Sequence, residues 1–308
     1  GDGIDLEAFT IFGKRYRDLN DSRRADVGVW CCTWLGLEHS ARSTSTKAEP
    51  PRSKPPSTPP PVELAASFPP STQLRAVWTD YAVRADADRD VSAYLSHRAI
   101  DPTACADSGI ARALPRNVPL PNWARMGRDP WTRTGHRLLV LLYDHLGVAR
   151  SVIARAIVDT ERKSIAPRGH TRAGLVMADQ LGRQLLRHGA HPSRWPMDGA
   201  DDDAPGLDSP AGWWPTDQRL TVVIAEGEPD FLSWATEPCE AVVHPPAVFG
   251  VVQGAWSDAI AARIPDRSRV VLAQHHDPDG EKYALRVFES LRGRDIEVRR
   301  IRRRSSAP

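Results

Sequence analysis

Glu226-Gly227 stands at the end of a short apolar run, Arg219–Ala225 (RLTVVIA), and Asp230 follows one helical turn later. A second apolar run, Arg269–Ala273, ends in Gln274-His275-His276-Asp277-Pro278-Asp279-Gly280. Carboxylates brought to adjacent strand ends repel one another unless a cation neutralises them. Oxygen ligands suit magnesium, which needs only one or two carboxylates and completes its shell with water and substrate phosphate. The candidate metal ligands are therefore the carboxylates of Glu226, Asp230 and the acidic turn at Asp277. The chemistry such a set serves is phosphoryl transfer.

Those residues need a scaffold that carries both acidic turns to one edge. Arg219–Ala225 reads as a buried strand and Pro229–Ala235 as a helix with proline near its first turn. Ala247–Val252 reads as a strand ending at Gly254, Ser257–Ile264 as a helix capped by Ser257, and Arg269–Ala273 as a strand. Glu281–Leu291 is then a helix and Ile296–Ile301 a last strand. Such alternation predicts a largely parallel sheet with helices on both faces, whose functional loops lie at the carboxyl ends of the strands. Upstream, His136–Tyr143 and Ala149–Ile157 read as two strands of a hairpin joined by Asp144-His145-Leu146-Gly147. Leu175–Arg187 has helical spacing with Gly189 as its stop, and Ser92–Ala113 reads as a pair of short helices.

The chain has 308 residues, 41% of them hydrophobic and 26% charged, enough to fold with more than one core. Nine prolines between residues 50 and 70 mark a linker, because such a composition favours extended conformations and builds no core. No apolar run reaches the ~20 residues of a bilayer span, and the N-terminus has no signal character, so a cytoplasmic protein without membrane contact is expected. The four cysteines, Cys31, Cys32, Cys105 and Cys239, form no C-x-x-C pair and read as reduced thiols. The net charge of +2 is too small to imply a nucleic-acid partner. Seven arginines lie between Arg292 and Arg304, either a solvated face and tail or a phosphate contact.

Glu226-Gly227-x-x-Asp230, the Gly250 to Gly254 turn and a strand ending in an Asp-x-Asp-x-x-Gly-like turn resemble the TOPRIM fold of bacterial DnaG-type primases, topoisomerases and some nucleases. In that family the glutamate and the acidic turn bind divalent metal and serve acid/base roles, and by the likeness Gly227, Gly254 and Gly280 are the motif glycines. With Gly280 aligned, His275 stands where the first aspartate belongs and Asp277 at the second, so the likeness implies Glu226 and Asp277 as the catalytic groups and either Asp279 as a compensating ligand or His275 as a ligand itself. Tyr94-Leu95-Ser96-His97-Arg98-Ala99-Ile100 is similar to the "YLxxRGI" helix of primase-like phage and plasmid proteins. The hairpin His136–Ile157, followed by Lys163-Ser164-Ile165-Ala166-Pro167, resembles their basic strand region, which implies that Arg150, Arg155 and Lys163 face phosphates, with Lys282 a further candidate near the acidic turn. The alternative is a set of solvated strand cations. Gly1-Asp2-Gly3-Ile4-Asp5-Leu6 looks like the second half of a primase zinc ribbon whose ligands are absent, so the chain is expected to be a fragment or to have lost its ribbon, and no zinc site is expected.

The resemblance implies an α/β fold: a TOPRIM domain, mostly parallel sheet with flanking helices, preceded by a smaller α+β primase-like basic subdomain. The expected divisions are a ribbon remnant at 1–45, a linker at 46–73, the basic subdomain at 74–196, a loop at 197–216, the TOPRIM domain at 217–301 and a basic tail at 302–308. The implied activity is DNA-primase-like nucleotidyl transfer in DNA replication, making short RNA primers on single-stranded DNA. Magnesium or manganese would be the cofactor, with two ions held by Glu226, Asp230 and Asp277, and nucleoside triphosphates the substrates. No Walker motif is visible, so any replicative helicase would be a separate partner. Two other readings stay open: a TOPRIM nuclease with water as nucleophile, and a nucleic-acid-binding protein whose site has decayed. A topoisomerase is not expected, because the large domains that carry its tyrosine nucleophile do not fit in 308 residues.

Overall fold

The segment His136–Tyr143 is buried at every position, and this sets the architecture. A strand covered on both faces reads as a continuous apolar run, and its alternate side chains enter two different cores. Leu139, Leu141 and Tyr143 join one core, and Leu138, Val140 and Leu142 the other. The computed structural model describes residues 67–195, 214, 215, 217–237, 244–252, 255–274 and 277–301. The chain divides into two units, Gly1–Val62 and Glu63–Pro308, and the described residues all lie in the second. The expected ribbon remnant, most of the linker, nearly all of the 197–216 loop, the basic tail, Gly254 and His275 lie outside the described residues.

The strands are β1 (Val83–Arg84), β2 (Arg112–Ala113), β3 (Arg125–Met126), β4 (Asp129–Pro130), β5 (His136–Tyr143), β6 (Ala149–Ala156), β7 (Ser164–Ile165), β8 (Val176–Ala178), β9 (Thr221–Glu226), β10 (Ala247–Val251), β11 (Arg269–Ala273) and β12 (Glu297–Arg300). The helices are α1 (Ser71–Ala76), continued by a π turn at Val77–Tyr81, α2 (Arg89–His97), α3 (Pro102–Asp107), α4 (Gln180–His188), α5 (Gly227–Thr236), α6 (Asp258–Ala261) and α7 (Pro278–Leu291). Ten strands form one sheet in the order β1-β2-β5-β8-β10-β9-β11-β12, with β6 and then β7 branching from β5, while β3 and β4 pair separately. The run β10-β9-β11-β12 is parallel, and the other pairings are antiparallel. The expected α/β class, with a mostly parallel sheet and flanking helices in the last part of the chain, is what the structure has. One sheet runs through both the 74–196 and the 217–301 segments, joined by β8 against β10.

Helices cover both faces. Val91 and Leu95 of α2, Cys105 of α3 and Phe231 and Leu232 of α5 fill one core. Leu74 of α1, Leu185 and Leu186 of α4, Ile260 of α6 and Ala284, Val287 and Leu291 of α7 fill the other. The helix starts obey local chemistry. Asp88, Asp101, Asp179, Ser257 and Asp277 each accept a hydrogen bond from a first-turn N–H of their helices. Gly189 ends α4 in the left-handed conformation, as its position after the periodic run predicts. At the end of α2 the left-handed position falls on Ala99, at φ 55°, where the resembling motif carries glycine.

Three expected boundaries shift. Leu175–Arg187 is not helical throughout: Val176–Ala178 is a strand, fully buried and paired with β10, and the helix begins at Gln180 behind its Asp179 cap. Pairing with a neighbour remote in sequence overrode the local helical spacing. The Ser92–Ala113 pair of helices is α2 and α3, but Arg112–Ala113 is a strand on β5. The last helix starts at Pro278 rather than Glu281, because the Asp277 cap and the fixed φ of proline suit a first turn there. Cys105 is a free thiol fully inside the core, and burial pushes it up to about 12.

Candidate active site

β9 sits between β10 and β11, all three parallel, so their carboxyl ends share an edge. In register, Glu226 lies opposite Val251, and Ala225 opposite both Gly250 and Ala273. The next residue of β11's chain, Gln274, thus stands in the row beside Glu226, three residues before Asp277. This arrangement brings the two acidic turns of the sequence to neighbouring strand ends.

The turn after β9 is built on Gly227, whose φ of 74° is open to glycine and strained for any side chain. It lets the strand fold directly into α5. Glu226 occupies the N-cap position of that helix, yet its side chain makes no capping hydrogen bond. Glu228 and Asp230 fall in the first turn, where the helix dipole favours negative charge. α5 lies close on the sheet because Gly250 faces it: a Cβ there would stand 2.7 Å from the Phe231 Cβ and 2.5 Å from the Met177 Cε. Gly250 is therefore a close-packing glycine of the strand.

On the other side, Asp277 caps α7 with one oxygen, which accepts from the Gly280 N–H at 2.7 Å. Gly280 is buried and Asp277 exposed. Asp279 pairs with Lys282 at 3.0 Å, both exposed, so this predicted cation answers a predicted ligand. Gln274 is only 5% exposed, and among the described residues neither atom of its side-chain amide has a hydrogen-bond partner. An orphaned buried amide at this edge is a cost that a bound group can offset. Among the described residues no three His, Cys, Asp or Glu side chains are gathered into a metal cage. A closed transition-metal site is thereby absent from them; magnesium does not require one.

The expected phosphate-facing cations are each engaged with a carboxylate. Arg150 donates to Asp144 at 2.7 Å; burial opposes ionisation of that carboxyl, but the Arg150 bond and the N–H groups of Val148 and Leu146 hold it below the usual range. Lys163 pairs with Asp159, whose carboxyl is lowered chiefly by that hydrogen bond. Arg155 reaches Glu228 at 3.1 Å, Ser164 at 3.2 Å and the Tyr94 hydroxyl at 3.2 Å. Three arginines of the run after α7 are also engaged. Arg294 donates to the carbonyls of Ala261 and Ile264, Arg300 pairs with Glu281, and Arg299 with Glu297.

Sequence reasoning missed Glu228, which reads as one more first-turn acid but is 3% exposed, and it missed Gln274. Nothing local sets Glu228 apart from Asp230, because its burial comes from Arg155 and Ser164, which the tertiary fold brings to it. Tyr94 was seen as part of a motif, but its hold on Arg155 depends on the tertiary fold. Tyr94 also lines an open groove of about 810 Å³ with His97, Arg116, Arg133, Thr134 and Thr160.

No family model matches the chain, and no curated protein matches it. Among solved structures it is similar to the zinc-binding and RNA polymerase domains of the Aquifex aeolicus primase, at 14% identity and a TM-score of 0.46, covering 100% of this chain and 65% of that one. It is similar to the E. coli primase catalytic core at 12% identity and a TM-score of 0.45, covering 77% and 72% of the two chains. The RNA polymerase domain of Mycobacterium tuberculosis primase DnaG gives 15% identity and a TM-score of 0.42, covering 75% and 74%. Likenesses of this degree assign no residue a role.

Proposed function

We propose that this chain is a TOPRIM-type, primase-like nucleotidyltransferase acting on single-stranded DNA with nucleoside triphosphates. The observation that carries the reading is the parallel register of β9 with β11, which sets Glu226 and the Asp277 turn at adjacent strand ends. The donors there are hard carboxylate oxygens, and the buried Gln274 amide beside them has no partner among the described residues, so the residues fit magnesium or manganese. Glu226 and Asp277, from the adjacent strand ends, would supply the one or two carboxylates that magnesium needs, with Asp230 and Asp279 one step behind them in the same two turns. Bound there, it would neutralise the anionic substrate and polarise the reacting oxygens.

The chain's own residues supply the rest. Glu226, at the strand end, accepts the proton of the attacking 3′-hydroxyl. The groove beside Tyr94 offers arginine, histidine and threonine side chains to a phosphodiester backbone. Lys163, exposed and paired with Asp159 at the groove's rim, would balance part of the charge of the triphosphate.

Glu226→Gln keeps size and a hydrogen-bonding oxygen but removes the charge and the titrating group. Incorporation of labelled nucleotides on single-stranded DNA should be abolished while the fold, followed by circular dichroism, is kept. A product from wild type marks a primase and degradation of the template a nuclease. Binding without either marks a decayed site, and full incorporation by Glu226→Gln would sink the mechanism.

A further inference from the structure

The Glu226-Gly227-Glu228 turn starts its helix without an N-cap hydrogen bond from Glu226. Among the described residues an added Cβ on Gly227 would meet the Pro229 Cδ alone, at 3.9 Å. The next residue ties the turn to the rest of the fold. The Glu228 carboxylate is buried and accepts from the Ser164 hydroxyl at 2.7 Å and from Arg155 at 3.1 Å. Arg155 is held in turn by Ser164 and Tyr94, so β6, β7 and α2 all converge on one oxygen-bearing side chain two residues past Glu226.

We propose that Glu228 is a positioning residue: it clamps the strand-to-helix turn onto the Arg155–Ser164 pair and thereby fixes where Glu226 presents its carboxylate. The inference rests on the reading of Glu226 as a metal-binding and catalytic group. β9's register holds the turn from one side and the Glu228 clamp from the other. The same clamp joins the hairpin that carries the candidate phosphate-facing cations to the edge that carries the acids. Glu228 touches no reacting atom; it acts through the backbone of residues 226–228. Removing one member of a buried pair leaves the other charge uncompensated, so each partner should be as sensitive as the other.

Glu228→Gln keeps the shape and an acceptor for Ser164 but removes the charge that holds Arg155. In the full chain, the manganese concentration giving half-maximal thermal stabilisation should rise ~10-fold, in the range seen when groups behind metal ligands are altered. The turnover number for nucleotide incorporation should fall by a similar factor with KM for the nucleotide unchanged. Arg155→Gln should do the same, and the double variant should lose no more than either single one. If Glu228→Gln does not fold, Arg155→Lys reads the clamp instead: it keeps the cation but loses the fork that reaches Ser164 and Tyr94, and should shift the manganese midpoint in the same direction.

A lowered melting temperature with an unmoved manganese midpoint and unmoved turnover would reduce Glu228 to a structural ion pair and overturn the proposal. Glu226→Gln separates the two failures. If it abolishes the manganese response while the Glu228 and Arg155 variants leave it untouched, only the clamp is wrong. If Glu226→Gln also leaves it untouched, the functional reading falls first.

Discussion

Asp179 caps α4 and lashes it to β10: one carboxylate oxygen accepts from the Gly182 N–H at 2.6 Å and from the Val248 N–H at 3.0 Å. Burial raises its carboxyl to about 6, against the opposing pull of the two N–H groups and Arg183. An unfolded aspartate titrates near ~3.9. Between these values the folded chain binds the extra proton, so the contribution to stability is full below ~3.9 and is lost as pH rises through about 6. At ~1.4 kcal/mol per pH unit this amounts to about 3 kcal/mol. That figure is a ceiling, because Asp179 borders a cavity of about 190 Å³ through which water reaches it. Asp179→Asn keeps the accepting oxygen and removes the charge. Urea unfolding followed across pH ~4 to ~7.5 should therefore show the variant losing less stability than wild type and exceeding it by up to about 3 kcal/mol near neutrality. Asp179→Ala strands the Val248 N–H and removes the cap, and should cost about 2–4 kcal/mol. An Asn variant that parallels wild type at every pH, or is weaker near neutrality, would refute the account of Asp179 as a desolvated carboxylate.

Ala99→Gly, at the left-handed end of α2, should raise stability by about 1 kcal/mol in thermal unfolding, since glycine adopts φ 55° without strain. Gly250→Ala should cost about 1–3 kcal/mol by the same measurement, because the new methyl meets the Phe231 Cβ and α5 must shift. Replacing Arg150, Arg155 and Lys163 together by alanine should weaken single-stranded DNA binding and flatten its salt dependence. It should also lower the melting temperature, as Asp144, Asp159 and Glu228 lose their partners; a steep, unchanged salt slope would assign these cations to the fold alone.

The sequence by itself determined the elements of the last part of the chain. RLTVVIA, the Ala247–Val252 segment and Arg269–Ala273 are apolar runs too short for helices, with Gly, Asp or Pro after them, and each is a strand. The acidic turns were legible for the same reason: local chemistry places a carboxylate after a buried run, and Gly227 and Pro278 mark where the chain must bend. Strand order was not legible. Nothing local says that β9 lies between β10 and β11, and only that order turns two acidic motifs into neighbours. β8 was hidden because a three-residue strand carries no period of its own and is made by its partner, β10. The cations show the limit most clearly. From the sequence, Arg155 reads as a free charge on a strand, yet the fold brings to it a carboxylate from a helix 73 positions away. A side chain's charge is set by its type, but whether that charge is spent inside the protein or offered to a ligand is set by which distant group the tertiary structure places against it.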